Sequence, residues 1–409
     1  MKRPNLSIDL SLANANDNID QSEQCLVTTY RAEGLSIGRN YLRFQGTTIS
    51  SSPALEDYIV DGTIGTGTSS IVKRARLKDD MSRQYYALKV FSLDNKANQD
   101  IYAEGDDKTK KQSSMLIQEI KLMCQLQCEC LVQLHGAFYE PGANVTMVLE
   151  FMDFGSLAHF LHIDDGLHSS ITKEKPVILP EATLAAIAFQ VLWGIAYLHC
   201  ESILHRDLKP ANILINSLGQ VKVSDLGISG LAAFAKSEMD ATGSGLNHTV
   251  VGTSRYMSPE RVLDKAYGLP SDIWAFGLVL IECATGGWSP FCYENENAGG
   301  PRHRKGIRSL VELAMILDDF CIDNVLETLS NRQMGGDSEV TFAVDWSKEM
   351  NRSGGIGEVL KWSLQRLPEK RIPANTLLES PWFERCKIEN VDAAQKIMRE
   401  YFARAAEEI

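Results

Sequence analysis

The spacing of hydrophobic positions changes along this 409-residue chain. From Tyr58 onward, short apolar runs (Tyr58 and Val60; Ile71 and Val72; Tyr86, Leu88 and Val90) with glycines between them predict strands of an antiparallel sheet. Leu116, Ile120 and Met123 then recur at helical spacing and predict one helix over 115–126, after a charged surface insertion at 98–114. Strands again fit 131–138 and 145–151. After Glu181 the period is helical: Leu184, Ile187, Ala188, Val191, Leu192, Ile195 and Leu198 describe a helix buried on a broad face. Further helices fit 272–284, 309–317 and 356–364, with loops at 295–304 and 331–338. Near the C-terminus Ala394, Ile397, Met398, Tyr401, Phe402 and Ala405 make one apolar stripe over 391–409. Residues 1–52 are polar and thin in aromatics, and read as a mostly disordered leader with a short strand at 41–44. The expected fold is α+β and two-lobed: a small antiparallel β lobe with one main helix, then a larger helical lobe.

Composition narrows the class. No apolar run reaches the ~18–20 residues of a bilayer span, the longest candidate being 274–284, so no membrane association is expected. The N-terminus, MKRPNLSIDL, lacks the apolar core of an export signal. Nine cysteines, an odd number without zinc-site spacing, imply buried thiols in a reducing compartment, hence cytosol or nucleus, with a cytoplasmic protein expected. A net charge of −12 argues against a nucleic-acid surface.

The candidate chemistry lies in four stretches. "IGTGTSSIV" (Ile64, Gly65, Thr66, Gly67, Thr68, Ser69, Ser70, Ile71, Val72) is a glycine-rich hairpin that lets backbone N–H groups approach phosphate oxygens. A strand follows it, which excludes the dinucleotide-binding fold, where a helix should come next. "YALKVF" sets Lys89 in an otherwise apolar strand, where it could face nucleotide phosphates with Glu119 as its carboxylate partner. "ILHRDLKPANILI" places His, Arg, Asp, Lys and Asn between two apolar runs. Phosphoryl transfer needs a carboxylate to accept the attacking hydroxyl's hydrogen bond, which suits Asp207, and a cation beside the phosphoryl group, which suits Lys209. It also needs oxygen ligands for Mg²⁺, which suits Asn212 and Asp225, the latter in "KVSDLGISGL".

These motifs resemble the eukaryotic protein kinases over residues 58–383, which divides the chain into a leader (1–57), a kinase domain (58–383) and a terminal amphipathic helix (384–409). "YMSPE" is similar to the family's activation-segment end, "SDIWAFG" to its central helix, and "LPEKR" to the arginine that pairs with a glutamate, here Arg371 with Glu260. "SDLGISG", "VVGTSRYMSPERV", "GAFYE", "EFMDFGSL" and "HRDLKPANIL" together resemble a MAP kinase kinase. The resemblance implies use of ATP and Mg²⁺, phosphorylation of Thr and Tyr in a MAP kinase activation loop, and activation by an upstream MAP kinase kinase kinase. A Ser/Thr kinase acting elsewhere in the cascade, or a kinase-fold scaffold, are the competing readings.

Leu226 departs from the phenylalanine usual at this position of the family. Leucine is apolar, so a packing role survives and Asp225 remains available as a ligand. The resemblance places a phosphoacceptor at Thr249. Its usual companion position falls on Gly245, which leaves Ser244 as the nearest hydroxyl, and Arg206 is the cation a loop phosphate would meet. In the leader, Lys2 and Arg3 ahead of the alternating Leu6, Ile8 and Leu10 are similar to the docking motif by which such enzymes hold a MAP kinase.

Overall fold

The computed structural model describes residues 30–32, 34–39, 41–50, 53–67, 70–78, 84–92, 107–140, 144–161, 177–226, 255–294, 304–306, 310–334, 344–349 and 352–407. The docking motif (Lys2, Arg3, Leu6, Ile8, Leu10), Thr68, Ser69, Ser244 and Thr249 lie outside them.

Four short strands come first: β1 (Tyr30–Ala32), β2 (Leu35–Ile37), β3 (Leu42–Phe44) and β4 (Thr47–Ser50), paired in that order as one antiparallel sheet. This corrects the reading of 1–52 as leader with a single strand. Its second half carries an apolar set, and Leu35, Ile37 and Leu42 are all buried. The apolar residues are too few per strand for the pattern to stand out, but they alternate and so fall on one face.

The next sheet has five strands in the order β5-β6-β7-β9-β8: β5 (Tyr58–Thr66), β6 (Ser70–Leu77), β7 (Tyr85–Ser92), β8 (Leu134–Glu140) and β9 (Asn144–Glu150). All its pairings are antiparallel. Side chains alternate between faces, so Tyr58, Leu88, Phe138 and Val148 share one buried cluster while Ala137, Val145 and Met147 share another. Helix α1 (Asp107–Gln125) adds Leu116, Ile117 and Ile120 to the second cluster. It begins within the stretch read as an insertion, where charged residues hid the helical start. The strand predicted from Leu131 begins at Leu134; Leu131 itself makes only an isolated parallel bridge to Val223.

The helical lobe is built around α2 (Leu157–Phe160) and α3 (Glu181–Cys200), with β10 (Gly155–Ser156), β11 (Ile213–Ile215) and β12 (Val221–Val223) forming a small antiparallel sheet beside them. Helix α3, and not 274–284, is among the described residues the one helix long and apolar enough to cross a membrane. Its burial explains the composition, because most of it lies inside the lobe. Around it pack α4 (Pro259–Val262), α5 (Pro270–Ala284), α6 (Leu310–Asp318), α7 (Ile322–Met334), α8 (Trp346–Glu349), α9 (Ile356–Ser363), α10 (Ala374–Leu377) and α11 (Pro381–Arg385). Helix α7 runs into the predicted loop at 331–338.

The last helix, α12 (Val391–Glu407), folds back on α3. Ala394 and Met398 are fully buried, and Phe402 meets Phe154 edge-on at 4.6 Å between ring centres. Gly219 makes this approach possible: it has φ +78°, and a Cβ there would stand 2.3 Å from the Gln395 carbonyl oxygen. The amphipathic stripe is thus a packing face.

Candidate active site

The cleft between the lobes gathers Lys89, Glu119, Asp207, Lys209, Asn212 and Asp225. Lys89 lies on β7, opposite Val72 on β6 and Met147 on β9, so these three share the face turned toward α1. Its Nζ donates to Glu119 Oε1 of α1 at 3.0 Å and to Asp225 Oδ1 at 2.5 Å. Glu119 therefore acts by positioning Lys89. Burial alone would strip charge from Lys89, yet the two carboxylates outweigh it and hold its pKa above that of an ordinary lysine. Asp225 feels the reverse balance: burial would raise its pKa, but Lys89 holds it below the usual carboxylate value.

In the hairpin, Gly65 lies opposite Val72, and Gly67 N donates to the Ser70 carbonyl oxygen at 2.8 Å. Ile64 sits where the β5–β6 register shifts and is half exposed, while Thr66 pairs with Ile71. Ile71 corrects the sequence reading. It is one residue from Val72 on a strand, so it points to the opposite face from Lys89 and is 44% exposed there.

The loop before β11 holds the second group. Lys209 Nζ donates to Asp207 Oδ2 at 2.9 Å, and Asn212 Nδ2 donates both to that oxygen at 3.0 Å and to the Asp207 carbonyl at 2.8 Å. Asn212 in turn ties to the strand that ends at Asp225, because Ser224 N donates to its carbonyl oxygen at 2.8 Å. Thus Asp207, Lys209, Asn212, Asp225, Lys89 and Glu119 form one connected polar network. Leu226 is buried in the main apolar cluster, against which Met123 also packs. His205 is fully buried and its Nε2 bonds the Ser224 carbonyl at 2.9 Å.

One carboxylate escaped the sequence reading. Asp272, on α5, accepts from His205 N, Arg206 N and His199 Nε2, each at 2.9 Å. It is 1% exposed and clamps the backbone immediately before Asp207. Burial pushes its pKa up, but these donors prevail and hold it below the usual range. The available signal was a carboxylate at the start of an otherwise apolar helix, "SDIWAFG". Arg206 and Asp225 both have positive φ (69° and 53°), which brackets the site with unusual backbone. Behind it, Arg371 grips Glu260 through two 2.7 Å bonds, as the resemblance implied.

Residues 58–383 match the protein kinase domain family. The chain belongs to that family. It is 41% identical over 233 residues to the mitogen-activated protein kinase kinase SIPKK of Nicotiana tabacum, covering 57% of this chain and 55% of that protein. It is 40% identical over 234 residues to mitogen-activated protein kinase kinase 2 of Arabidopsis thaliana, covering 57% and 54%. The dual specificity mitogen-activated protein kinase kinase 1 of Dictyostelium discoideum is 36% identical over 233 residues, covering 57% and 30%. The chain spans about half the length of the plant relatives it matches.

A protein kinase uses ATP and a divalent metal. The donor set here fits such a cation. With Nδ2 engaged on Asp207, Asn212 can offer Oδ1, and Asp225 keeps Oδ2 beside the oxygen that Lys89 takes. Two oxygen donors of this kind suit a hard cation that completes its shell with phosphate and water.

Proposed function

We propose that this protein is a MAP kinase kinase, a dual-specificity enzyme that transfers the terminal phosphate of ATP to Thr and Tyr in the activation loop of a MAP kinase. The observation that carries the reading is the contact of Asp207 with both Lys209 and Asn212 on a loop clamped by Asp272. The names of the plant and slime-mould relatives supply the subfamily.

In this reading Asp207 accepts the hydrogen bond, and then the proton, of the acceptor hydroxyl as its oxygen attacks the terminal phosphorus. Lys209, already paired to Asp207, places a positive charge where negative charge gathers on the transferring group. Lys89 holds the nucleotide phosphates, and Glu119 keeps it from collapsing onto Asp225 alone. Asn212 and Asp225 would hold Mg²⁺, which neutralises phosphate charge when bound. The products are ADP and a phosphorylated hydroxyl.

The buried Nε of Arg206 has no hydrogen-bond partner among the described residues, which supports a phosphate on the segment carrying Thr249 and Ser244 as its missing acceptor. That phosphate would come from an upstream MAP kinase kinase kinase. Lys2, Arg3, Leu6, Ile8 and Leu10 would hold the MAP kinase, and the setting is cytoplasmic. The test is incubation with ATP and a catalytically inactive MAP kinase, with the phosphate acceptors mapped residue by residue.

A further inference from the structure

The N-terminal sheet β1–β4 precedes the stretch that matches the kinase family, yet it is joined to the element on which Lys89 depends. Leu35, Ile37 and Leu42 are 2%, 0% and 0% exposed, and they lie in the same buried cluster as Leu116, Ile117 and Ile120 of α1. Glu119 stands between Ile117 and Ile120 in the helix, so the residues by which α1 enters that cluster flank the one that reaches Lys89. The same cluster takes in Ala137 of β8 and Val145 and Met147 of β9, and Met147 is the register partner of Lys89.

Two further features fix how the small sheet sits. Tyr139 N, on β8, donates to the Gly38 carbonyl oxygen at 2.9 Å, stitching the β2–β3 turn to the outer strand of the five-stranded sheet. A Cβ at Gly38 would lie 2.1 Å from the Tyr41 ring, so a larger residue there would displace that ring. Arg39 also reaches Glu56 Oε2 at 2.8 Å, although that pair is exposed and contributes little.

We propose that the sheet β1–β4 is a built-in positioning element for the Lys89–Glu119 pair. By completing the buried cluster that holds the apolar face of α1 it favours the helix position in which Glu119 meets Lys89. Without that cover, Leu116, Ile117 and Ile120 would face water, and the helix would lose its bias toward the paired position. Ile37 and Leu42 are then positioning residues that act through Glu119. No acceptor protein enters this inference, which stands or falls apart from the MAP kinase reading.

The test uses the full chain carrying Ile37→Ser or Leu42→Ser, with Glu119→Gln and the double variant Ile37→Ser/Glu119→Gln beside it. Intrinsic ATP hydrolysis is measured because it needs no protein acceptor, and amide hydrogen exchange is followed in α1 and in α3. The expected result is a fall in kcat of tenfold or more for Ile37→Ser and faster exchange in α1 with α3 unchanged. Adding Ile37→Ser to Glu119→Gln should lower kcat no further. The proposal is overturned if kcat stays within twofold of wild type, or if the two losses multiply in the double variant. It is equally overturned if exchange quickens alike in α1 and α3, which would mean general unfolding.

Discussion

Lys89 Nζ and Glu119 Oε1 lie 3.0 Å apart, joining the middle of the five-stranded sheet to its one long helix. Both side chains are largely shielded, at 12% and 15% exposure, so the pair is a contact inside the cleft wall. Lys89→Met should abolish phosphoryl transfer. Glu119→Gln should lower kcat more than it raises KM for ATP, since it loosens the placement of a group that still reaches the phosphates. Steady-state kinetics over a range of ATP concentrations separates the two. A Glu119→Gln variant changed in KM alone would mean that the pair only binds nucleotide.

Leu226 marks the one unusual residue beside the metal-ligand candidate. Its side chain is buried, and Leu226→Phe exchanges one apolar residue for a larger one, a change of about 1 kcal/mol. Activity should stay within a few-fold of wild type. Loss of metal-dependent ATP binding, measured by calorimetry, would show a pocket shaped around leucine.

Glu260 and Arg371 make a buried pair whose removal should be costly. Arg371→Ala leaves Glu260 without its cation and should destabilise the protein by roughly 3–5 kcal/mol, read from urea denaturation. Asp272 and Glu260 also contribute to the acid sensitivity of stability. Burial opposes their ionisation, but their donors lower both pKa values in the folded state. Groups with depressed pKa contribute stability that is fully present above the unfolded value, about 4, and is lost as pH falls through the folded one. The urea midpoint should therefore hold steady from pH 7 to about 5 and drop below about 4. Asp272→Asn should start lower and show a shallower drop. An equally steep drop in that variant would put the acid sensitivity elsewhere.

Removing residues 1–12 should raise KM for a folded MAP kinase much more than for a short peptide of its activation loop. The leader would contribute binding remote from the chemistry and raise the effective concentration of the larger substrate. Equal effects on the two substrates would defeat the docking assignment.

The catalytic loop was legible because polar residues crowd between apolar runs, as around Asp207, where packing alone offers no reason for them. Helix α3 was legible because its apolar residues recur over the helix length, from Leu184 to Leu198. Shorter patterns were not. Leu35, Ile37 and Leu42 are three apolar residues among polar neighbours, and only the tertiary cluster they share with β8, β9 and α1 shows that they are core. The face of Ile71 depended on strand register, which a single slip reverses. Asp272 read as part of a helix because two of its three partners are backbone amides of a distant loop and the third, His199, lies on another helix, and no local pattern announces such an acceptor.

In the proposed function Asp207 serves transfer to both hydroxyl types of one MAP kinase loop. The most direct measurement incubates wild type and Asp207→Asn, each previously phosphorylated by an upstream kinase, with ATP and a catalytically inactive MAP kinase, and maps every phosphate by mass spectrometry. Phosphate should appear on both Thr and Tyr of the activation loop with wild type, and on neither with Asp207→Asn, while both proteins bind ATP equally. Phosphate confined to Ser or Thr outside that loop, or transfer by Asp207→Asn at a rate near wild type, would contradict the account.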